Sequence, residues 1–169
     1  DRLNLTILPD DRIALLGPNG NGKSTFAKLL SGRLKPVKGE VRHSPKLTTA
    51  YFAQHQLDEL VPQETPVHHV AMGFPGAKAD TPVANLSGGE KARLLMGLAA
   101  FAGPHLLILD EPTNHLDIDS RQMLMEAIND YDGAVLLISH DRFLVEACAD
   151  RLWLVANGTV KPYDGDLDD

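Results

Sequence analysis

Gly17-Pro18-Asn19-Gly20-Asn21-Gly22-Lys23-Ser24 has the spacing G-x-x-x-x-G-K-[ST], which is typical of a loop that wraps a phosphate group. The apolar run at residues 13–16 predicts a buried strand before this loop, and residues 24–34 predict a helix after it. A strand, a glycine-rich loop and a helix in this order are the context that the spacing requires. Glycines let backbone N–H groups turn toward a phosphate, and a helix N-terminus adds partial positive charge. We therefore expect a nucleotide phosphate here rather than an ordinary glycine turn before a helix.

The composition indicates one globular domain. The chain has 169 residues, of which 43% are hydrophobic and 23% are charged. Its net charge of −7 argues against binding nucleic acid through bulk positive charge. The sequence has one cysteine, Cys148, so no internal disulfide can form. We expect Cys148 to be a small core residue, and a single cysteine fits a reducing, cytoplasmic setting. No apolar run approaches the roughly 20 residues of a membrane span. The sequence begins at Asp1 rather than methionine, so we expect a processed or excised fragment.

Short apolar runs alternate with helical stretches along most of the chain. The predicted strands are residues 13–16, 106–109 and 134–138, and the predicted helices are residues 24–34, 91–101, 120–129 and 142–149. This alternation predicts an α/β fold, with a mostly parallel sheet flanked by helices on both faces. Residues 39–42 and 49–53 predict strands of a small antiparallel piece, and residues 151–160 predict a hairpin that turns at Asn157-Gly158. Residues 56–86 are rich in Pro, Gly and polar side chains and predict a loop-rich insert.

Two acids follow the predicted strand at residues 106–109. In enzymes with a phosphate loop, such a strand end supplies an Asp on the magnesium side, which here is Asp110. Glu111 follows it and could polarise an attacking water. Alone, the pair would indicate a strand that runs into a solvated acidic turn, but the phosphate loop favours the catalytic interpretation.

Three further polar sites need context to be interpreted. Ser87 and Glu90 have the spacing of a capping box, while Ser87, Gly88 and Gly89 could also form a second anion site at a helix N-terminus. Both interpretations can hold together. His140, just beyond a buried strand, is in isolation a structural residue, and Gln54, which closes the strand at residues 49–53, is in isolation an exposed loop residue.

Together these motifs resemble the nucleotide-binding domain of the ATP-binding cassette (ABC) superfamily, and the resemblance covers nearly the whole chain. The order agrees: phosphate loop, Gln54, a signature at residues 86–90, Asp110 with Glu111, and His140. The sequence Glu-Pro-Thr-Asn-His-Leu-Asp at residues 111–117 is similar to the ABC-F subfamily, which lacks transmembrane domains and works mostly on ribosomes. Residues 51–56 and 162–167 are similar to the second cassette of bacterial Uup/YheS-type proteins within it.

The resemblance implies a role for each matching residue. The phosphates of ATP would be held by Gly17, Pro18, Asn19, Gly20, Asn21, Gly22, Lys23, Ser24 and Thr25. Mg²⁺ would be bound by Ser24 and Gln54, with Asp110 behind it. Glu111 would be the general base, with Gln54 and His140 also catalytic and His140 at the γ-phosphate. Ser87, Gly88 and Gly89 would contact ATP bound to an opposing cassette, and Asp117 would lie at the seam between the two.

The implied function is Mg²⁺-dependent ATP hydrolysis by a nucleotide-driven pair of cassettes in a cytoplasmic protein. The second cassette would lie in the same longer chain or in a second copy, and ribosome contact would come from regions outside this sequence. A nucleotide-gated binding module with little turnover, the ATPase subunit of a transporter and a DNA-repair cassette ATPase are the alternatives.

Two segments depart from the family pattern. The residue that usually stacks on adenine would precede Asp1, so ATP over GTP follows from the resemblance alone. The insert at residues 56–86 is shorter than the helical subdomain of family members, and we expect residues to be missing near 70–72.

Overall fold

A computed structural model of the protein describes residues 3–53, 85–100, 103–165 and 167. In chain order its elements are β1 Arg12–Leu16, α1 Lys23–Leu30, β2 Thr49–Ala53, α2 Gly88–Ala100, β3 Leu106–Asp110, α3 Ile118–Asn129, β4 Ala134–Ile138, α4 Arg142–Cys148, β5 Arg151–Ala156 and β6 Thr159–Tyr163. None of the helices in these ranges is both long and apolar enough to cross a membrane.

The strands form one six-stranded sheet in the order β2-β3-β4-β1-β5-β6. All neighbours are parallel except β5 and β6, which form an antiparallel pair. The predicted α/β fold with a mostly parallel sheet is confirmed. The register aligns Ala53 of β2 with Asp110 of β3, and Asp110 with Ile138 of β4. The carboxyl ends of these three strands therefore lie side by side, where open α/β sheets bind their ligands.

The core has two layers because successive side chains of a buried strand point to opposite faces. On one face, Leu107, Leu109 and Leu137 pack with Leu124 of α3 and Leu144 of α4. On the other, strand residues that include Ile108 and Leu136 pack with the α1 residues Phe26 and Ala27 and with Trp153 of β5. Cys148 is buried in the first layer as predicted, and burial raises the pKa of its thiol to about 11.

Aspartate side chains cap the N-termini of two helices, α3 and α4, on the first face of the sheet. The Asp117 carboxylate accepts a hydrogen bond from the Ser120 backbone N–H at 2.7 Å and begins α3. Asp141 does the same for α4, accepting from the Leu144 N–H at 3.2 Å. These caps satisfy backbone donors that have no partner within the helix. They fix where each helix leaves the edge of the sheet.

Three local predictions need correction. Residues 49–53 form a strand, but it is parallel to β3 in the main sheet, and the small antiparallel piece is instead β5 with β6. Residues 39–42 form no strand, because Gly39 has a φ of +91° and the exposed Glu40 and Arg42 pair with each other at 3.0 Å. Helix α1 ends at Leu30 rather than residue 34, since Gly32, with a φ of +75°, donates its N–H to the Leu29 carbonyl.

The predicted hairpin near the end of the chain is confirmed. Asn157 and Gly158 connect β5 to β6 with φ values of +51° and +71°, as a two-residue hairpin loop requires. Three predictions concern residues outside the described ranges. They are the role of Gln54, the loop-rich insert at residues 56–86 (described only from residue 85 on) and the expected gap near residues 70–72.

Candidate active site

The phosphate loop connects β1 to α1 and is seated against β5. A Cβ atom at Gly17 would lie 2.2 Å from the Val155 carbonyl oxygen, so only glycine allows this approach. Gly22, with a φ of +95°, is the residue before α1, and its carbonyl accepts the Phe26 N–H at 2.8 Å. The loop thus leads directly into the first turn of α1, where unpaired backbone N–H groups favour an anion.

Lys23 is the first residue of α1 and, among the residues that the structure describes, the one charged side chain that is buried, at 7% exposure. Its ammonium donates to the Gly17 carbonyl and to the Pro18 carbonyl, the latter at 3.1 Å. The positive charge is therefore held inside the curve of the loop. Ser24 and Thr25 follow it in the first turn, and both are exposed.

Glu111 follows β3 at a sharp turn. Its φ is +49°, an uncommon value for a residue with a side chain, and its N–H donates to the Ile138 carbonyl of β4 at 2.8 Å. Burial raises the pKa of its carboxyl, and the neighbouring Asp110 charge adds to the increase, while His140 and Lys23 oppose it. A carboxylate with a raised pKa at the edge of a sheet is suited to accept a proton.

His140 joins Glu111 to the phosphate loop. Its Nε2 atom lies 3.3 Å from Glu111 Oε1 and 2.7 Å from Asn19 Oδ1. Its backbone N–H donates to Glu111 Oε2 at 3.4 Å. Three predicted site residues, from the phosphate loop, the end of β3 and the end of β4, thus meet at one point. The His140 side chain is 53% exposed, so this point is open to solvent.

Asp110 is the last residue of β3 and is half-buried. Its Oδ2 atom accepts a hydrogen bond from the Tyr51 hydroxyl of β2. Burial, and then the hydrogen bond and charge of Asp110, raise the pKa of Tyr51, so its phenol stays protonated as a donor. On the other side, the guanidinium carbon of Arg33 lies 4.6 Å from the centre of the Tyr51 ring.

The predicted signature at residues 86–90 begins α2. Ser87 Oγ accepts the Glu90 N–H at 3.2 Å, and Glu90 Oε2 accepts the Ser87 N–H at 2.9 Å, which confirms the capping box. A Cβ atom at Gly89 would lie 2.9 Å from Ser120 Cα. The start of α2 therefore packs directly on the first turn of α3, beside its cap Asp117. These glycines contact α3 rather than the phosphate loop.

The profile of the ABC transporter family matches residues 1–114 of the 169. The chain belongs to the ABC transporter family. Its relatives include "Probable ATP-binding protein YheS" of Escherichia coli (strain K12), 45% identical over all of this chain and 29% of that protein. "ABC transporter F family member 3" of Arabidopsis thaliana is 39% identical, over 99% of this chain and 26% of that protein. The resemblance to ABC-F proteins of the YheS type is thereby confirmed, and the cassette spans less than a third of either relative.

Solved structures agree on the fold of the cassette. A putative metal-chelate type ABC transporter in an inward-facing conformation superposes with a TM-score of 0.79, over 96% of this chain and 75% of that one, at 23% identity. The complex of the archaeal ribosomal stalk protein aP1 with the archaeal ribosome recycling factor aABCE1 matches with a TM-score of 0.68 at 26% identity. That match covers 84% of this chain and 31% of the other.

The end of β3 and the start of α1 each carry one oxygen donor of the type that magnesium prefers. Asp110 offers carboxylate oxygen, and the first turn of α1 offers the Ser24 hydroxyl. No group of three or more His, Cys, Asp or Glu side chains poised for a metal occurs within the described ranges of the cassette. Magnesium commonly binds through one or two side-chain oxygens, keeps several waters and takes its remaining oxygens from substrate phosphates, and Asp110 and Ser24 are oxygen donors of this kind.

Sequence patterns missed Tyr51 and Arg33 as neighbours of the site. Tyr51 carries a hydroxyl in the middle of β2, two residues before Ala53. The alternation of side chains puts it on the face of Asp110 once β2 is paired with β3. The pairing of β2 with β3 is the information that the sequence does not supply, since the pattern of residues 49–53 is equally compatible with a small antiparallel piece.

Proposed function

We propose that this protein binds ATP with Mg²⁺ and hydrolyses it at a site that is completed by a second cassette. The observation that carries this proposal is the contact of His140 with both Asn19 and Glu111. It joins the loop that would hold the phosphates to the acid that would activate water. A glycine turn that only caps a helix has no need of a half-buried carboxylate and a histidine beside it.

Substrate binding falls to the phosphate loop. The Lys23 ammonium already lies inside the loop, so a nucleotide would exchange its contacts with the Gly17 and Pro18 carbonyls for contacts with phosphate oxygens. The N–H groups at the start of α1 would add neutral donors aimed at the same charge. Binding there relies on positioning rather than covalent chemistry, as is usual for phosphoryl transfer.

Proton transfer falls to Glu111. Its carboxylate would accept the proton of the attacking water, and its raised pKa makes that acceptance more favourable. The Nε2 atom of His140 lies 3.3 Å from one carboxylate oxygen, and with nucleotide bound its one hydrogen would turn from this oxygen and from Asn19 Oδ1 toward a phosphate oxygen. When bound, Mg²⁺ supplies charge that offsets the negative charge on the phosphates. Ser24, Asp110 and Gln54 are its proposed ligands.

The requirement for a second cassette rests on the signature. Capping uses Ser87 Oγ as an acceptor and leaves its O–H able to donate, at a helix N-terminus that favours anions. Ser87 is exposed, and Gly88 and Gly89 contact α3 rather than the phosphate loop of the same chain. We propose that Ser87, Gly88 and Gly89 serve ATP held by the opposing cassette, with Asp117 at the seam.

Nucleotide titration tests the binding step. Lys23→Ala should weaken ATP binding at least tenfold, because it removes the one cation inside the loop. Lys28→Ala is the matched control, since Lys28 lies on the same helix but is exposed, and its affinity should stay at the wild-type value. Equal affinities for wild type and Lys23→Ala would refute the assignment of the phosphate site.

For the setting of this activity we propose the ribosome in the cytoplasm. ABC-F relatives and the similarity to the ribosome recycling factor aABCE1 support it, and the net charge of −7 indicates that contacts with RNA would come from other parts of a longer protein. Co-sedimentation of the full-length protein with ribosomes should increase with a non-hydrolysable ATP analogue. Sedimentation that is absent with and without the analogue would contradict this setting.

A further inference from the structure

Tyr51 and Asp110 lie on adjacent parallel strands and on the same face of the sheet. The register pairs Ala53 with Asp110 and Tyr51 with Ile108, so the Tyr51 side chain begins one pleat below the carboxylate. A phenol is long enough to reach the next pleat, and its hydroxyl donates to Asp110 Oδ2. The ring packs against the core layer that contains Ile108 and Phe26, which is also the layer beneath α1.

The outer face of the Tyr51 ring is covered by Arg33. Its guanidinium carbon lies 4.6 Å from the ring centre, within the range of a cation–π contact. Arg33 itself is exposed, three residues past the end of α1. The ring is thus held between a buried apolar layer and a surface cation, which leaves its hydroxyl little freedom to leave Asp110.

We propose that Tyr51 is a positioning residue for the divalent cation: its hydroxyl fixes Oδ2 of Asp110, while Arg33 holds the ring, so that Oδ1 remains for the metal side of the site. This inference rests on the proposed function, since it assigns how the proposed magnesium site is oriented. Carboxylates that face metals are commonly fixed by such partners, and loss of the partner costs roughly 10- to 100-fold in metal affinity.

The test is the Mg²⁺ dependence of nucleotide binding in the full-length protein, measured with a fluorescent ATP analogue. Tyr51→Phe removes the hydroxyl and keeps the ring. Tyr131→Phe is the matched control, because the half-buried Tyr131 hydroxyl also donates a hydrogen bond, but to the Pro104 carbonyl. Mg²⁺ should increase the affinity for the nucleotide, and Tyr51→Phe should need an Mg²⁺ concentration about tenfold higher than wild type to reach half of that increase. Tyr131→Phe should match wild type, and neither variant should change affinity without Mg²⁺.

A Tyr51→Phe variant with the wild-type Mg²⁺ requirement, or a lower one, would overturn the proposal. If Tyr51→Phe does not fold, Arg33→Gln carries the test, because Arg33 is exposed: a severalfold higher Mg²⁺ requirement supports the proposal, and an unchanged one overturns it. The failure of the proposed function has a different signature. Wild-type affinity that does not respond to Mg²⁺ at any concentration would remove the magnesium site itself.

Discussion

Replacing Gly17 with alanine should disrupt the contact between the phosphate loop and β5 and lower the free energy of unfolding. The added Cβ atom would lie 2.2 Å from the Val155 carbonyl oxygen and 3.2 Å from its carbonyl carbon. Both belong to backbone in β5, which is paired with β1 on one side and β6 on the other and cannot move independently. The φ of +141° adds strain for any residue with a side chain.

The two costs can be estimated separately. Overpacking a rigid site costs about 1–3 kcal/mol, and a strained backbone conformation costs about 1–3 kcal/mol. Their sum, about 4 kcal/mol, is a large part of the roughly 5–15 kcal/mol by which domains are stable. The control is Gly20→Ala in the same loop, where φ is +79° but nothing lies within 4 Å of the new Cβ. Only backbone strain of about 1 kcal/mol applies there.

Urea denaturation measures the difference. Trp153, the one tryptophan of this sequence, is buried in β5 two residues before Val155 and reports the relevant strand. With a slope of about 2 kcal/mol per molar urea, Gly17→Ala should lower the midpoint by about 2 M and Gly20→Ala by about 0.5 M. Equal midpoints for the two variants would refute the close approach of loop and sheet.

Two further changes test packing and electrostatics. Gly89→Ala should cost about 1–3 kcal/mol of unfolding free energy, because the new Cβ atom would lie 2.9 Å from both Ser120 Cα and Met123 Sδ. The control Gly88→Ala, whose Cβ atom would have contacts of 3.4 Å and more, should cost less than about 1 kcal/mol. Equal losses in urea denaturation would contradict this packing. Glu111→Gln should raise the melting temperature at pH 7 but not below about pH 4.5. Folding raises the pKa of the Glu111 carboxyl, so the folded protein loses stability as the pH rises through that pKa and the carboxyl ionises, and glutamine avoids this loss. A gain in melting temperature that is the same at pH 4 and pH 7 would argue against a raised pKa.

The sequence was sufficient to predict the centre of the sheet. Strands such as 134–138 are continuous apolar runs because they are buried on both faces, and this pattern is local. The meeting of Asn19, Glu111 and His140 was also accessible, since parallel strands bring their carboxyl ends to one edge.

Features that depend on non-local pairing were not predictable. The sequence of residues 49–53 does not indicate that β3 is their partner. The predicted antiparallel orientation of β2 was therefore wrong, and the contact of Tyr51 with Asp110 was not predicted. Residues 39–42 have the alternation of a strand, but Gly39 adopts a φ of +91° and the exposed Glu40 and Arg42 pair with each other instead. The close approaches at Gly17 and Gly89 likewise belong to the tertiary structure, because a glycine alone does not reveal what will pack against it.

Phosphate release from ATP by wild type and by Glu111→Gln tests the central claim most directly. Wild-type protein with Mg²⁺ should release phosphate, and Glu111→Gln should bind ATP with similar affinity while releasing phosphate at least about 100-fold more slowly, because removing a general base typically costs about 10²–10⁴ in rate. A variant that binds ATP and hydrolyses it at the wild-type rate would contradict the role of Glu111, and with it the proposed active site.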